Sequence, residues 1–160
     1  MFSVEEMQLQ MGKIHNVDCL EFMQQVPDNY FDLILTDPPY GIGFSNNPVR
    51  GSHEKKNWDN ATPSSKIFTE MFRISKNQII WGGNYFPLPP TRCFICWDKM
   101  VFIPSMSRIE QAWTSFDKLP QLVQYNNNDS NRIHLTQKPV KLYDYLITKF
   151  AKPNFKILDT

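Results

Sequence analysis

Asp37-Pro38-Pro39-Tyr40 is the group in these 160 residues whose side-chain types and spacing could do chemistry together. Two consecutive prolines fix φ and stiffen the turn, so a carboxylate, a proline carbonyl and an aromatic ring are held as one rigid unit. The carboxylate and carbonyl can accept hydrogen bonds from an amino group while the ring stacks on a flat π-system, which suits recognition of a planar amino-aromatic. The same four residues would also make an ordinary turn carrying a surface tyrosine, so the element that delivers them decides between the two. Phe31 to Thr36 runs apolar almost without alternation, as a parallel strand covered on both faces does, and its carboxyl end presents Asp37.

The rest of the chain has to build that strand's surroundings. Ile14 to Val17 is a short β-prone run leading into Asp18-Cys19-Leu20-Glu21, where an Asp and a Glu three residues on form a capping-box-like helix start. Pro27-Asp28-Asn29 ends that helix before the buried strand begins. Residues 41–63 are rich in Gly, Asn, Ser and charge without apolar periodicity, a loop of a length that is usually functional. Ile67, Phe68, Met71 and Phe72 share a helical face behind Pro63 and Ser64, and Gln78 to Trp81 is another apolar strand. Gly82-Gly83-Asn84 and Pro87, Pro89 and Pro90 break the chain before Cys93 to Trp97, which pairs as a hairpin with Glu110 to Phe116. Residues 117–133 read as a polar surface excursion. Thr136 caps a helix with Pro139 in its first turn and Tyr143, Leu146, Ile147 and Phe150 on its buried face, and Phe155 to Leu158 begins one more strand.

Strands alternating with helices predict one α/β domain over residues 1–160 with a mixed, mostly parallel sheet, whose ligands bind beyond the carboxyl ends of strands. Asp18, Asp37 and Asp159 are all expected at such ends. A composition of 41% hydrophobic and 21% charged residues supports a real core. No stretch approaches the roughly 18 apolar residues of a membrane span and no signal peptide opens the chain, so a cytoplasmic location without membrane association is expected. The net charge of +1 does not advertise nucleic acid, which leaves any DNA contact to local basic clusters. Cys19, Cys93 and Cys96 are an odd set expected as free thiols. Cys93 and Cys96 have the spacing of half a zinc site, but His15, His53 and His134 have no paired spacing to complete it, so no metal is expected.

The tetrapeptide is similar to the catalytic motif of the amino-methylating DNA methyltransferases, in which Asp-Pro-Pro-Tyr is typical of adenine-N6 enzymes and Ser at the first position goes more often with N4-cytosine. The motif order, Asp37 to Tyr40 first, then Leu135-Thr136-Gln137-Lys138-Pro139, then Lys156-Ile157-Leu158-Asp159-Thr160, resembles the circularly permuted β-class of that family. The resemblance covers nearly the whole chain and implies a Rossmann-like S-adenosylmethionine-dependent methyltransferase fold. It implies double-stranded DNA as partner and S-adenosylmethionine as cofactor. Asp37 and the Pro38 carbonyl would receive the amino group beside Pro39, and the ring of Tyr40, more than its hydroxyl, would stack on a base flipped out of the duplex. Asp18 and Cys19 would lie at the adenine end of the cofactor, Thr136 and Lys138 at its methionyl carboxylate, and Asp159 at its α-amino group. Phe44 would be a second stacking surface, with Arg50, Lys55 and Lys56 as phosphate or base contacts, and target reading is expected in loops 41–63 and 117–133.

Cytosine C5 methylation is set aside because its nucleophilic cysteine usually follows proline, whereas these cysteines follow Asp18, Arg92 and Ile95. N4-cytosine methylation, RNA methylation and a non-catalytic DNA-binding remnant stay open. The resemblance also implies a glycine-rich turn directly after Asp159-Thr160, then a helix, a strand and an acidic residue for the ribose hydroxyls. None follows Thr160 in the sequence, so a fold incomplete at its carboxyl terminus, weak or no cofactor binding without measurable methylation by these residues alone, and aggregation or pairing through an exposed sheet edge, as in a homodimer, are expected.

Overall fold

The structure, a computed structural model, describes residues 2–43, 59–102, 104, 107–126 and 136–160. Six strands form one sheet: β1 (Leu33–Thr36), β2 (Gln78–Trp81), β3 (Phe94–Asp98), β4 (Ile109–Thr114), β5 (Gln121–Gln124) and β6 (Ile157–Leu158), in the order β5-β3-β4-β2-β1-β6. β1 pairs in parallel with β2 and β6, and β3 with β5, while β4 runs antiparallel between β2 and β3. All strands but β4 therefore point the same way, which is the mixed, mostly parallel sheet expected from the alternation of strands and helices.

Four helices cover the sheet: α1 (Val4–Gln10), α2 (Cys19–Gln25), α3 (Ser65–Ile74) and α4 (Val140–Phe150). One layer packs Met7, Met23, Phe68, Met71 and Ile74 against Ile34 and Ile80. The other packs Leu142, Leu146 and Phe150 of α4 against Leu33, Leu35, Ile79, Trp81 and Ile95. Because neighbouring strand residues face opposite layers, β1 and β2 are apolar without alternation and buried at every position. Arg73 fastens α3 to α2, donating to the carbonyls of Met23 and Val26, each at 2.8 Å, where the last turn of α2 leaves acceptors without helical partners.

Several expectations are corrected. Ile14 to Val17 forms no strand; Ile14 is fully exposed, and both neighbours of β1 are already taken by β2 and β6. Asp18 consequently lies at a helix start and not at a strand end: its Oδ1 accepts from the amides of Leu20 (2.9 Å) and Glu21 (3.1 Å). Helix α1 was not expected, although Ser3 and Glu6 form a complete capping box that the sequence spells. The polar excursion after Asp117 contains edge strand β5, in which Val123 is buried and Leu122 exposed. Helix α4 is capped by Pro139 without a side-chain bond and not by Thr136, and its buried stripe is Leu142, Leu146 and Phe150, leaving Ile147 exposed. No helix among the described residues is long and apolar enough to cross a membrane.

Candidate active site

The carboxyl ends of β1, β2, β3 and β6 share one edge of the sheet with the start of β4, and loops from these ends converge there. Thr36 closes β1 by hydrogen-bonding the carbonyl of Thr160 at 2.9 Å and the Thr160 hydroxyl at 3.0 Å. That clasp sets Asp37 and Asp159 side by side at the mouths of adjacent parallel strands. Beyond the tetrapeptide, Gly41 turns with a φ of 69° and donates its amide to Asp59 Oδ1 at 2.8 Å, while Gly43 donates to the Asp59 carbonyl at 3.0 Å. Asp59, itself buried, thus pins the chain leaving Tyr40.

Asp37 has both oxygens engaged. The Tyr40 hydroxyl donates to Oδ1 at 2.7 Å, and the Lys138 ammonium meets Oδ2 at 2.5 Å. The same ammonium lies 3.2 Å from the Tyr40 hydroxyl oxygen and 3.1 Å from Glu110 Oε2, over the rings of Trp81 and Tyr40. Glu110 in turn holds Lys99 at 3.0 Å. Lys138 and Lys99 are buried ammonium groups at 4% and 8% side-chain exposure, a placement that requires carboxylate partners. Burial works against ionisation of Glu110, but the charges of Lys138 and Lys99 outweigh it and hold its carboxyl below the ordinary range. Burial, reinforced by the negative charges of Asp37 and Glu110, pushes the Tyr40 phenol far above its usual range, so it remains a donor.

The Tyr40 ring is fixed from several sides. Tyr85, on a 3-10 turn at Gly83–Tyr85, stacks on it with centroids 5.0 Å apart and planes 17° from parallel. Gly82, at a φ of 70°, lies so close that an added Cβ would fall 2.2 Å from Tyr40 Cε1. A Cβ on Gly83 would fall 2.4 Å from Trp113 Cβ. The diglycine therefore serves close packing of the tetrapeptide's ring and of β4.

A cleft of about 430 Å³ opens between α1, the start of α2 and the end of β6. Cys19, Asp159 and Thr160 line it together with apolar Met7, Met11, Val17 and Phe22. The Cys19 thiol is pushed up first by burial and then by the Asp18 carboxylate, which keeps it protonated and unreactive. Asp159 is solvent-accessible, yet protein crowds its carboxyl enough to raise its pKa; Asp37's charge adds to this, and the Thr36 hydroxyl opposes it.

Of the residues singled out in the sequence, the structure brings Asp37, Tyr40 and Lys138 into direct contact and sets Cys19 and Asp159 on one cleft. Lys138, expected at the cofactor's methionyl carboxylate, is buried against Asp37, Glu110 and Tyr40. Phe44, Arg50, Lys55 and Lys56 lie outside the described residues, as does most of loop 41–63. Glu110, Lys99, Tyr85, Gly82 and Asp59 were missed. Only the diglycine had a sequence signal, since paired glycines beside a buried strand mark close backbone approach. Among the described residues no group of His, Cys, Asp and Glu could hold a metal ion.

The chain is 28% identical to the putative methylase YubD of Escherichia coli over 93% of its length and 74% of that protein's. It is 32% identical to the type II methyltransferase M.BglII of Bacillus subtilis over 47% of the chain, and 26% identical to the type II methyltransferase M1.MboII of Moraxella bovis over 69%. These similarities support a DNA methyltransferase family. The methyltransferase similarity extends through 20% of M.BglII and 38% of M1.MboII, so it concerns a part of each of those proteins. No protein-family model matches the chain.

Proposed function

We propose that the chain is a site-specific DNA methyltransferase that moves a methyl group from S-adenosylmethionine to the exocyclic N6 of an adenine flipped out of the duplex. The observation that carries this reading is the rigid Asp37-Pro38-Pro39-Tyr40 unit at the mouth of β1, set beside Asp159, which itself lines the 430 Å³ cleft. The cleft fits an amphipathic nucleoside cofactor: its walls are largely apolar, and its acidic end, Asp159, suits an α-ammonium group. When bound, S-adenosylmethionine would supply an electrophilic methyl group.

The chain's own residues would orient and polarise the amino group. The adenine amino nitrogen is a poor nucleophile because its lone pair is conjugated into the ring. Accepting hydrogen bonds from its N–H groups draws it toward sp³ geometry and accommodates the positive charge that develops. A carboxylate offers about four lone-pair sites, so Asp37 retains acceptor capacity beside its bonds to Tyr40 and Lys138. Asp37 and Glu110 face the ammonium groups of Lys138 and Lys99, and Asp159 stands within electrostatic reach of Asp37, so three carboxylates against two ammonium groups bias the field toward a cationic methyl donor and a cationic product nitrogen. Because Tyr85 covers Tyr40, an incoming base would stack on the tetrapeptide's ring only with Tyr85 turned aside or with the base on the opposite face.

The test is transfer of labelled methyl groups into duplex DNA, followed by nucleoside analysis. N6-methyladenine is expected; N4-methylcytosine, label confined to RNA, or no label would overturn the adenine reading.

The Tyr40 hydroxyl changes what a conservative substitution should do. Tyr40→Phe keeps the stacking face but removes a donor to Asp37, and turnover is expected to fall about tenfold, in line with loss of one charge-assisted hydrogen bond. Tyr40→Ala should lose a further 1 to 3 kcal/mol or so of base binding, read as a raised KM for DNA. Steady-state kinetics on both variants check this, and a Phe variant equal to the parent would leave the hydroxyl without a role.

Cofactor binding should also depend on pH. The raised carboxyl of Asp159 binds a proton in the free protein over a range where an ordinary Asp, with a pKa of about 3.9, is ionised. A cofactor ammonium would stabilise the ionised form, so binding releases a proton. Affinity is therefore expected to rise with pH above the ordinary carboxylate range and to level off once Asp159 is ionised in the free protein. Calorimetry in buffers of different ionisation enthalpy measures the released proton. Asp159→Asn should abolish the slope, and a slope that survives would assign it elsewhere.

A further inference from the structure

Glu110 belongs to no motif, yet it is the residue on which the buried charges of the site converge. It sits near the start of β4, paired in register with Trp97, and reaches one ammonium with each carboxylate oxygen: Lys99 with Oε1 at 3.0 Å and Lys138 with Oε2 at 3.1 Å. Lys138 precedes α4 and contacts Asp37 across the site. An unbroken path of charge-assisted contacts thus runs from Lys99 through Glu110 and Lys138 to the Asp37 carboxylate and the Tyr40 hydroxyl.

We propose that Glu110 is a positioning residue, fixing the Lys138 ammonium against Asp37 so that the tetrapeptide's carboxylate keeps one orientation toward its substrate. This rests on the DNA methyltransferase reading above. The physical reason is that Asp37 follows the last strand residue and stands on a turn, so its side-chain torsion is set by what meets its oxygens. Tyr40 is local, three residues away, and moves with the same turn; Lys138 is the contact that ties the carboxylate to the rest of the fold. A lysine stem has several rotatable bonds, and an ammonium held by one carboxylate could swing with it. Held by two, one just after β1 and one on β4, strands that are separated by β2, it is located in the frame of the sheet. Lys99 offsets the second carboxylate, so that adding Glu110 does not leave an uncompensated buried charge.

Every element packed around that ammonium contributes to its environment: Asp37 and Tyr40 after β1, Trp81 on β2, Lys99 after β3 and Glu110 on β4. Tyr143 on α4 and Asp159 after β6 stand within electrostatic reach of the same carboxylates. Removing the Glu110 charge leaves Lys99 as an unbalanced cation and Asp37 as the remaining close carboxylate on Lys138, so the Lys138 ammonium is no longer held from β4.

The experiment compares the full chain with Glu110→Gln, which preserves shape and removes the charge, by nitrogen-15 relaxation of lysine ammonium groups at one pH, using Lys138→Met to identify the signal. The Lys138 ammonium is expected to be restrained in the parent and to reorient freely in the variant, read as a fall in its order parameter. In the same samples, kcat for methyl transfer should fall about tenfold or more, with KM for DNA and cofactor within about threefold, as for a misplaced group that still binds. An unchanged Lys138 order parameter would overturn the proposal, and so would a lowered one with kcat within about twofold of the parent. Should Glu110→Gln fail to fold, Glu110→Asp withdraws the carboxylate by one methylene and carries the same readouts in the same directions. A parent chain that binds S-adenosylmethionine yet transfers no methyl group to DNA would show the methyltransferase reading to be wrong, while the ammonium relaxation would still decide whether Glu110 holds Lys138.

Discussion

Asp37→Ala is expected to reduce methyl transfer on the order of a thousandfold while leaving S-adenosylmethionine affinity within a few-fold of the parent, since the carboxylate would meet the target amino group and not the cofactor. The size follows from loss of the charged acceptor at the mouth of β1: the Pro38 carbonyl and the Tyr40 hydroxyl oxygen are neutral, the latter already taken by Lys138, and the Lys138 ammonium only donates. The substitution also leaves Lys138 buried with Glu110 as its remaining carboxylate, so part of any loss could come from the fold. Asp37→Asn separates the two effects. It keeps the shape and one acceptor oxygen, should unfold at a temperature between those of Asp37→Ala and the parent, and should still lose most of the turnover because a neutral amide stabilises developing positive charge poorly. Labelled methyl transfer, calorimetric cofactor binding and thermal unfolding on the same preparations are the measurements. Near-normal turnover in either variant would remove Asp37 from the chemistry.

Gly82→Ala is expected to damage both stability and activity, far more than its single methyl group suggests. The residue has a φ of 70°, where an L side chain is strained by about 1 to 3 kcal/mol, and the new Cβ would sit 2.2 Å from the Tyr40 ring. A tyrosine ring gripped by Tyr85 and bonded through its hydroxyl to Asp37 has little room to yield. Relief must come from turning Tyr40 out, which breaks its bond to Asp37, or from shifting the turn after β2. Urea unfolding should show a loss at or above the strain figure, and methyl transfer should fall to the level of Tyr40→Ala, because both changes remove the ring from its place. A Gly82→Ala protein with parental stability would mean that the turn relaxes freely, and the diglycine would then have no packing role.

The local sequence determined a good deal of this. The apolar run ending at Asp37, the run Gln78 to Trp81 and the amphipathic pattern of α3 were legible because each depends on periodicity and local stop signals, which neighbouring residues encode completely. The pairing of β3 with β4 was legible for a related reason: antiparallel neighbours adjacent in sequence need no long-range information. The tetrapeptide's stiffness was equally local, since two prolines fix φ wherever they stand. Tertiary structure alone decided the remainder. Whether Ile14 to Val17 or Gln121 to Gln124 becomes a strand depends on a free sheet edge, and β3 offered one to the second while β1 had none for the first. Glu110 reads as one more polar residue in an alternating strand, and Lys138 as one lysine among many. Their worth comes from burial and from partners about 30 to 100 residues distant in the chain, a proximity that no local spacing can express. The same is true of Gly82, whose small size matters only because Tyr40, more than 40 positions earlier, returns to lie against it across parallel strands β1 and β2.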